Sequence, residues 1–205
     1  TDATFVLVAT PSNADGNFSN KYLESALTEL STALRDSAKP YHLFIINSTV
    51  MPGSCDEKLM PMMERLSGRK LNEWFGVCYC PELVALGKVC TDFLNPDAVF
   101  MGQSGDEAGD MAEAIYRRFC ENNAPICRMS IINAEISKVS LNCYITLKIS
   151  FANNLANLCE RIPGANVDDI TQALGVDRRI SPYYLKGGLS FGGTCFPRDT
   201  RAYVA

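Results

Sequence analysis

The 205-residue sequence contains a single histidine, His42, and none of its nine cysteines forms a C-x-x-C pair. A structural zinc site needs four closely spaced cysteine or histidine ligands, and no such grouping is present. A disulfide framework is unusual in a chain of this length, and an odd number of cysteines does not favour one. The composition therefore predicts no metal site and reduced thiols in a cytoplasmic protein.

The sequence also lacks a strong charge excess and a long uninterrupted apolar run. Its net charge is -4, so we expect binding neither to nucleic acid nor to an anionic membrane surface. The most apolar long segment, 139–159, contains Lys148 and four asparagines, which a hydrocarbon core would exclude. The first residues have neither the basic start nor the apolar length of a signal peptide. We expect a soluble protein without a membrane span.

Short apolar runs bounded by turn residues recur through the first two thirds of the chain. They predict the buried strands of a parallel sheet at 5–8, 43–46, 75–77, 99–101 and 126–131. Helical spacing between them predicts helices at 22–33, 55–66 and 107–120, with Ser19 as the cap of the first. This alternation implies right-handed crossovers and a nucleotide-binding type of α/β sheet.

The pattern changes in the last third of the chain. One long helix is predicted from 134 to 161, where Pro163-Gly164 stops it. A short helix follows at 167–174, with Asn166 as its cap and Gly175 at its end, and the remainder is predicted as loop. The sequence thus favours a partial Rossmann-like parallel sheet followed by an all-helical region.

The G-x-G-x-x-G fingerprint of a dinucleotide-binding domain is also missing. Such a domain normally opens with a strand, this glycine turn and a helix, whereas the chain opens directly on the strand 5–8. If the protein binds a dinucleotide, the first half of the binding domain is therefore not in this chain.

Polar residues follow three successive predicted strands. Thr10-Pro11, Ser48-Thr49 and Cys80-Pro81-Glu82 each come just after an apolar run. The carboxyl ends of parallel strands are where open α/β sheets bind ligands, so these groups are expected to share one crevice. Ordinary turn chemistry is the alternative interpretation, since proline and hydroxyl residues often end strands.

The long helix carries Glu135, Lys138 and Asn142 at spacings of three and four, which places them on one face. An ammonium beside an amide makes a donor pair suited to an oxyanion. The alternative is a Glu-Lys pair on the surface.

Gly187-Gly188 and Gly192-Gly193 surround Leu189-Ser190-Phe191, and Cys195 follows them, close to Arg198 and Asp199. Glycines let a backbone approach a bulky ligand, and a thiol next to charged groups is a candidate nucleophile. The alternative is that Cys195 is one more cysteine in a chain of nine.

Together these motifs resemble the nucleotide-sugar dehydrogenases of the UDP-glucose and GDP-mannose 6-dehydrogenase family. The likeness runs in order along essentially the whole chain, through V-x-T-P at 8–11, S-T-V-x-P-G at 48–53, C-P-E at 80–82 where the family has N-P-E, N-P-D at 95–97, E-x-x-K-x-x-x-N at 135–142, K-I-S-F-x-N at 148–153, D-x-R-I at 177–180 and F-G-G-x-C-x-P-R-D at 191–199. The last motif is highly specific.

The resemblance implies a domain plan. Residues 1–130 would be the second half of an NAD-binding Rossmann domain. Residues 131–205 would be the central helical domain, which carries the cysteine loop and makes a homodimer through the long helix 134–161.

The resemblance also implies a reaction: the NAD-dependent four-electron oxidation of a nucleotide-sugar 6-alcohol to a uronic acid. Cys195 would attack the C6 aldehyde to give a thiohemiacetal, which loses a hydride to NAD and becomes a thioester. Lys138 and Asn142 would stabilise oxyanions at C6, and Asp199 and Thr49 would position the hydrolytic water. Glu82 would assist as acid or base.

Binding residues are implied in the same way. The sugar nucleotide would contact Glu82, Lys138, Asn142, Tyr184, Leu185, Lys186, Phe191 and Gly192, together with Arg179, which would reach into the site of the partner subunit. NAD would contact Thr10, Ser48, Thr49, Cys195 and Arg198.

Three positions depart from the family pattern. Leu86 stands where many relatives carry a glutamate, Cys80 replaces an asparagine, and Arg198 replaces a lysine. Because Arg and Lys present their charge differently, the last change is not neutral. These departures bear on rate and on sugar specificity.

Other functions stay open. UDP-glucose is favoured as the substrate because it is the commoner activity in the family, and GDP-mannose is the alternative. A two-electron hydroxyacid dehydrogenase could share the helical Lys138 and Asn142 but needs no thiol. An inactive dimerisation fragment is the remaining alternative.

Overall fold

The structure, a computed structural model, describes residues 1–85 and 87–204. Leu86, one of the departures named above, lies outside the described residues. The chain divides into two compact units, Thr1–Lys138 and Val139–Ala205.

The first unit is built on a five-stranded sheet in which the strands follow each other in space as they do in sequence. They are β1 (Ala3–Val6), β2 (His42–Ile46), β3 (Phe75–Tyr79), β4 (Val99–Gln103) and β5 (Ile126–Ser130). Each predicted apolar run therefore contributes to a strand. β1 begins and ends two residues earlier than predicted, because Ala3 to Val6 pair with the four residues that end β2.

The direction of the last two strands differs from the prediction. β1, β2 and β3 are parallel to one another, and β5 is parallel to β4, but β4 runs antiparallel to β3. A parallel connection needs a crossover helix packed on the sheet. Among the described residues of the connection 80–98, the only helix has six residues and none of them is buried, so the chain returns along the neighbouring strand in the opposite direction.

The helices of the first unit lie close to their predicted positions, except that the short helix Val89–Leu94 was not predicted. They are α1 (Lys21–Arg35), a π-helical turn (Cys55–Leu59) that continues as α2 (Met60–Ser67), α3 (Val89–Leu94), α4 (Asp106–Phe119) and the first part of α5 (Ile131–Cys159). The predicted cap of α1 was wrong: Asn20 is the N-cap, and Ser19 only accepts a 3.4 Å contact from the backbone N–H of Lys21.

Both faces of the sheet are covered. Phe44 and Ile46 of β2 face a cluster that includes Leu23 and Leu27 of α1. Leu43 and Ile45 face the other cluster, which includes residues of α4. A strand buried on both faces reads as a continuous apolar run, and this is why β2 could be located from sequence.

The second unit contains the rest of α5, α6 (Val167–Val176) and α7 (Phe196–Val204). Asn166 caps α6 as predicted, since its side chain accepts from the N–H of Asp168 at 2.9 Å. Gly175 does not end this helix. It lies inside the helix, where a Cβ would come within 2.9 Å of the Cα of Pro182, so close packing accounts for the glycine. The predicted terminal loop was also wrong from residue 196, where α7 begins.

α5 begins three residues before its predicted start and ends two residues before its predicted end. Among the described residues, no helix combines the length and the apolar character that a membrane span requires.

Candidate active site

The loops that follow β1, β2 and β3 lie at one edge of the sheet, as predicted, because the three strands are parallel. Ser48 joins the first two loops: its hydroxyl accepts from the N–H of Val8 and donates to the carbonyl of Val8, both at 2.8 Å. Asn47 joins the second and third, donating from Nδ2 to the carbonyl of Cys80 at 2.6 Å. Side-chain hydrogen bonds therefore fix the three loops to one another.

These contacts bear on the residues predicted to meet NAD. Ser48 is buried and its hydroxyl is used within the protein, so it fixes the backbone of the edge. Thr10 and Thr49 lie on the same loops and are buried as well. Asn47 was missed by the sequence analysis, although a polar residue directly after a buried strand was the available signal.

Cys80 shows why a thiol can replace the family's asparagine. The residue is 1% exposed and packs in the cluster that includes residues of α4. Burial raises the pKa of the Cys80 thiol well above its usual value, and the Tyr116 hydroxyl is its hydrogen-bond partner. The thiol is therefore a neutral part of the core beneath the crevice.

Glu135 and Lys138 are buried on α5, so the alternative of a surface pair was wrong. The Glu135 carboxylate accepts from the N–H of Gly53 at 2.6 Å and from the N–H of Cys55 at 3.0 Å. The Lys138 ammonium donates to the carbonyl of Glu82 at 2.7 Å. One turn of α5 therefore contacts the loops that follow both β2 and β3.

The second unit contains the predicted nucleophile. Cys195 is exposed, and its Sγ lies 3.6 Å from the hydroxyl oxygen of Thr194. α7 begins at the next residue, and the backbone N–H groups at a helix start favour negative charge beside them. Gly193 has φ +87, a left-handed conformation that glycine adopts without strain, so it lets the chain turn into this helix.

A buried polar cluster follows the cysteine. Asp199 is fully buried; its Oδ2 accepts from Asn142 Nδ2 at 2.5 Å, and its Oδ1 accepts from Arg198 Nε at 2.8 Å. Burial, followed by the Asp199 charge, raises the pKa of the neighbouring Cys143 thiol. Motif residues of α5 and of the segment after Cys195 thus meet in this cluster, through Asn142, Asp199 and Arg198, a contact that the sequence analysis did not predict.

The predicted sugar-binding residues of the second unit lie on an irregular segment. Leu185 is buried, Phe191 is half-buried, and Tyr184, Lys186 and Gly192 are exposed. Their sugar contacts stay predictions.

Two side chains of α5 hold this segment. Lys148 donates to the carbonyls of Ile180 and Ser181 at 3.0 and 3.2 Å. Asn153 accepts from the N–H of Gly188 at 2.8 Å. The lysine and the asparagine of the K-I-S-F-x-N motif therefore hold the irregular segment by hydrogen bonds to its backbone.

Arg179 projects into solvent, with 83% of its side chain exposed. It is bonded to Asp177 through a 2.6 Å ion pair, which keeps it beside α6. Its predicted reach into a partner subunit stays a prediction. Among the described residues, no group of three or more His, Cys, Asp or Glu side chains is placed to hold a metal ion.

Comparison with known protein families identifies the family of this chain. Residues 1–120 match the NAD binding domain of the UDP-glucose/GDP-mannose dehydrogenase family, and residues 132–205 match its central domain. The chain belongs to the UDP-glucose/GDP-mannose dehydrogenase family. This family assignment argues against the alternative of a hydroxyacid dehydrogenase.

Family members with different substrates are similar to this chain. It is 34% identical to UDP-glucose 6-dehydrogenase AglM of Haloferax volcanii over 100% of its length and 48% of that protein. It is 32% identical to a GDP-mannose 6-dehydrogenase of Pseudomonas putida, over 98% of the chain and 45% of that protein. The chain therefore spans about half the length of the curated relatives it matches.

A solved structure supports the Rossmann-like fold. A UDP-glucose dehydrogenase from Pyrobaculum islandicum superposes with a TM-score of 0.90 at 33% identity, covering 100% of this chain and 45% of that one.

The cofactor of this domain family is NAD, as predicted, and the residues of the first unit fit it. In parallel sheets a dinucleotide lies at the carboxyl edge of the strands. The segments 7–10 and 47–51 present the hydroxyl-bearing Thr10 and Thr49 at this edge and contain no acidic residue that would repel a pyrophosphate.

Proposed function

We propose that the polypeptide carrying this chain oxidises the 6-alcohol of a nucleotide sugar to the carboxylate, with UDP-glucose as substrate. The observation that carries this proposal is the exposed thiol of Cys195 at the start of α7, one helical turn before the buried cluster of Asp199, Arg198 and Asn142. A two-electron oxidation would need no such thiol. NAD, when bound, accepts the hydride in each of the two oxidations.

The proposed steps balance around C6. After the first oxidation, the Cys195 thiolate forms a bond to the carbonyl carbon of the aldehyde, and the alkoxide is stabilised by the Lys138 ammonium and the Asn142 amide. Loss of a hydride from C6 converts this thiohemiacetal to a thioester. Water then adds to the thioester, the C–S bond breaks, and the products are the carboxylate and the free thiol.

The other site residues have supporting roles in this proposal. Thr49 holds the attacking water, and Glu82 exchanges its proton. Asp199 was expected to position this water as well, but its full burial favours a different part, in which it holds the Asn142 amide in place. Arg198 forms an ion pair with Asp199 and neutralises its charge, so an arginine can serve at this position, where the family has lysine.

We also propose a homodimer formed through α5. Four large apolar side chains on its second half are 48% to 62% exposed and recur at spacings of three, four and seven, which puts them on one face: Tyr144, Leu147, Phe151 and Leu158. Contiguous exposed apolar side chains of this kind mark sites of protein–protein interaction. The nine free cysteines support a reducing, cytoplasmic location.

The nucleophile is tested by replacing Cys195 with alanine in the complete polypeptide. We expect no uronate by mass spectrometry, because no thioester can form. Cys90→Ala is the matched control, since Cys90 is also exposed but lies on α3, and it should leave uronate formation unchanged. Full uronate production by the Cys195→Ala variant would contradict the proposal.

The substrate is tested by measuring NADH production with a panel of nucleotide sugars. We expect turnover with UDP-glucose and two NADH for each sugar consumed. Turnover with GDP-mannose alone would assign the second candidate substrate, and one NADH for each sugar would contradict the four-electron reaction.

A further inference from the structure

The loop 47–54 is fixed at both ends by contacts within the first unit. At its start, Ser48 is bonded to Val8, and Asn47 to the carbonyl of Cys80. At its end, both carboxylate oxygens of Glu135 accept backbone N–H groups, from Gly53 and from Cys55. The residues between these two anchors include Thr49.

The anchor at the end of the loop is a single side chain from a distant part of the sequence. Glu135 has no exposed surface, and a fully buried carboxylate is costly unless it is hydrogen-bonded. Its two acceptors satisfy N–H groups at the start of the π-helical turn Cys55–Leu59, which have no partner within the helix. Burial raises the pKa of the Glu135 carboxyl, whereas the hydrogen bonds from Cys55 and Gly53 favour its charged form, and hydrogen bonds to a carboxylate are among the stronger ones in proteins.

The same helical turn carries a group with a different task. Lys138 lies three residues after Glu135 and bonds to the carbonyl of Glu82, in the loop after β3. The position of Lys138 is therefore set by α5 and by the third loop, whereas the far end of the second loop is set by Glu135. Removing the Glu135 carboxylate should disturb the second loop and leave Lys138 in place.

We propose that Glu135 is a positioning residue for the cofactor side of the site: it holds the loop 47–54 so that Thr49 keeps its place relative to Lys138. This inference rests on the proposed function, because it takes Thr49 to lie on the NAD side. It predicts a selective defect, in which NADH binding weakens and binding of the sugar nucleotide does not.

The test uses Glu135→Gln in the complete polypeptide, with Ile136→Ala as the matched control. The amide keeps the shape and one acceptor but faces the other N–H with a donor, so roughly tenfold weaker NADH binding is expected by fluorescence titration. Binding of UDP-glucose, measured by calorimetry, should stay unchanged. Ile136 is 45% exposed on the same helix, and its replacement should alter neither affinity.

A second measurement does not depend on any ligand. Hydrogen exchange of the Gly53 and Cys55 amides should be faster in Glu135→Gln than in the original protein, because one of their acceptors is lost. Exchange at the original rate would overturn the inference.

The outcomes separate this inference from the proposed function. If the original protein binds NADH and the Glu135→Gln variant binds it equally well, the positioning role is overturned and the proposed function stands. Equal weakening of NADH and UDP-glucose binding would point to a purely structural role and would also overturn it. If the original protein binds no NADH, the proposed function fails, and the inference fails with it.

Discussion

Replacing Asp199 with asparagine tests whether the buried cluster holds α7 against α5. In the structure, the two Asp199 oxygens accept from opposite sides, from Asn142 and from Arg198. An amide of the same shape offers one oxygen and one NH₂ group, so one of the two neighbouring donors must face another donor. The Arg198 charge also loses its partner.

The magnitude follows from burial. Breaking a fully buried ion pair by removing one partner costs about 3–5 kcal/mol. The Arg198 side chain retains 21% exposure and can recover part of its hydration, so we expect a loss of about 2–3 kcal/mol. In hydrogen exchange this corresponds to roughly 30-fold to 150-fold faster exchange of the α7 amides, since about 1.4 kcal/mol is a factor of ten.

The assay is hydrogen exchange with mass spectrometry on peptides that cover α7. Arg201→Gln, on the exposed side of the same helix, is the control and should not change the exchange rate. Asn142→Asp alone should also be destabilising, because it places two carboxylates in contact. The double variant Asn142→Asp with Asp199→Asn restores one carboxylate beside one amide and should recover part of the loss. Unchanged exchange in Asp199→Asn, or a double variant worse than both single ones, would refute this reasoning.

Three further predictions concern other parts of the chain. Burial raises the pKa of the Cys78 thiol from 9.0 to about 12. Above pH 9 the unfolded thiol therefore ionises while the folded one stays neutral, and the free energy of unfolding falls by up to about 1.4 kcal/mol per pH unit. Cys78→Val should reduce this loss of stability with pH in urea unfolding followed by Trp74 fluorescence, and an identical dependence on pH would contradict it. Lys148→Met removes the donor to the Ser181 carbonyl, so limited proteolysis should cut the segment 180–190 faster, and an unchanged cleavage rate would count against the clamp. Leu147→Asp puts a charge in the exposed apolar stripe of α5 and should give a monomer by light scattering, whereas a persisting dimer would place the interface elsewhere.

The strands could be found from sequence because burial on both faces produces continuous apolar runs, as in β2. The direction of β4 could not, because an apolar run has no polarity and the outcome depends on how the connection 80–98 packs. α7 was missed because the glycines before Cys195 suggested a loop, although Pro197 in a first helical turn is a usual start signal. Gly175 was misread because close packing against Pro182 is a tertiary contact.

The candidate site divides in the same way. Its motif residues could be named as candidates because their chemical types and order match a family, and Cys195, Lys138 and Asn142 are examples. Their partners could not be identified. Glu135 meets Gly53 across more than eighty positions of sequence, and no local pattern encodes such a contact. The same holds for the burial of Ser48, whose hydroxyl is used by Val8.

The order of the strands has a consequence for how the first unit is made. Every strand of the sheet pairs with the strand that immediately precedes or follows it in sequence. Among these five strands, each one after β1 can therefore dock on its preceding neighbour as it leaves the ribosome. The sheet is suited to assembly in step with synthesis, and the loop 47–54 at its edge is fixed last, when α5 brings Glu135 to Gly53 and Cys55.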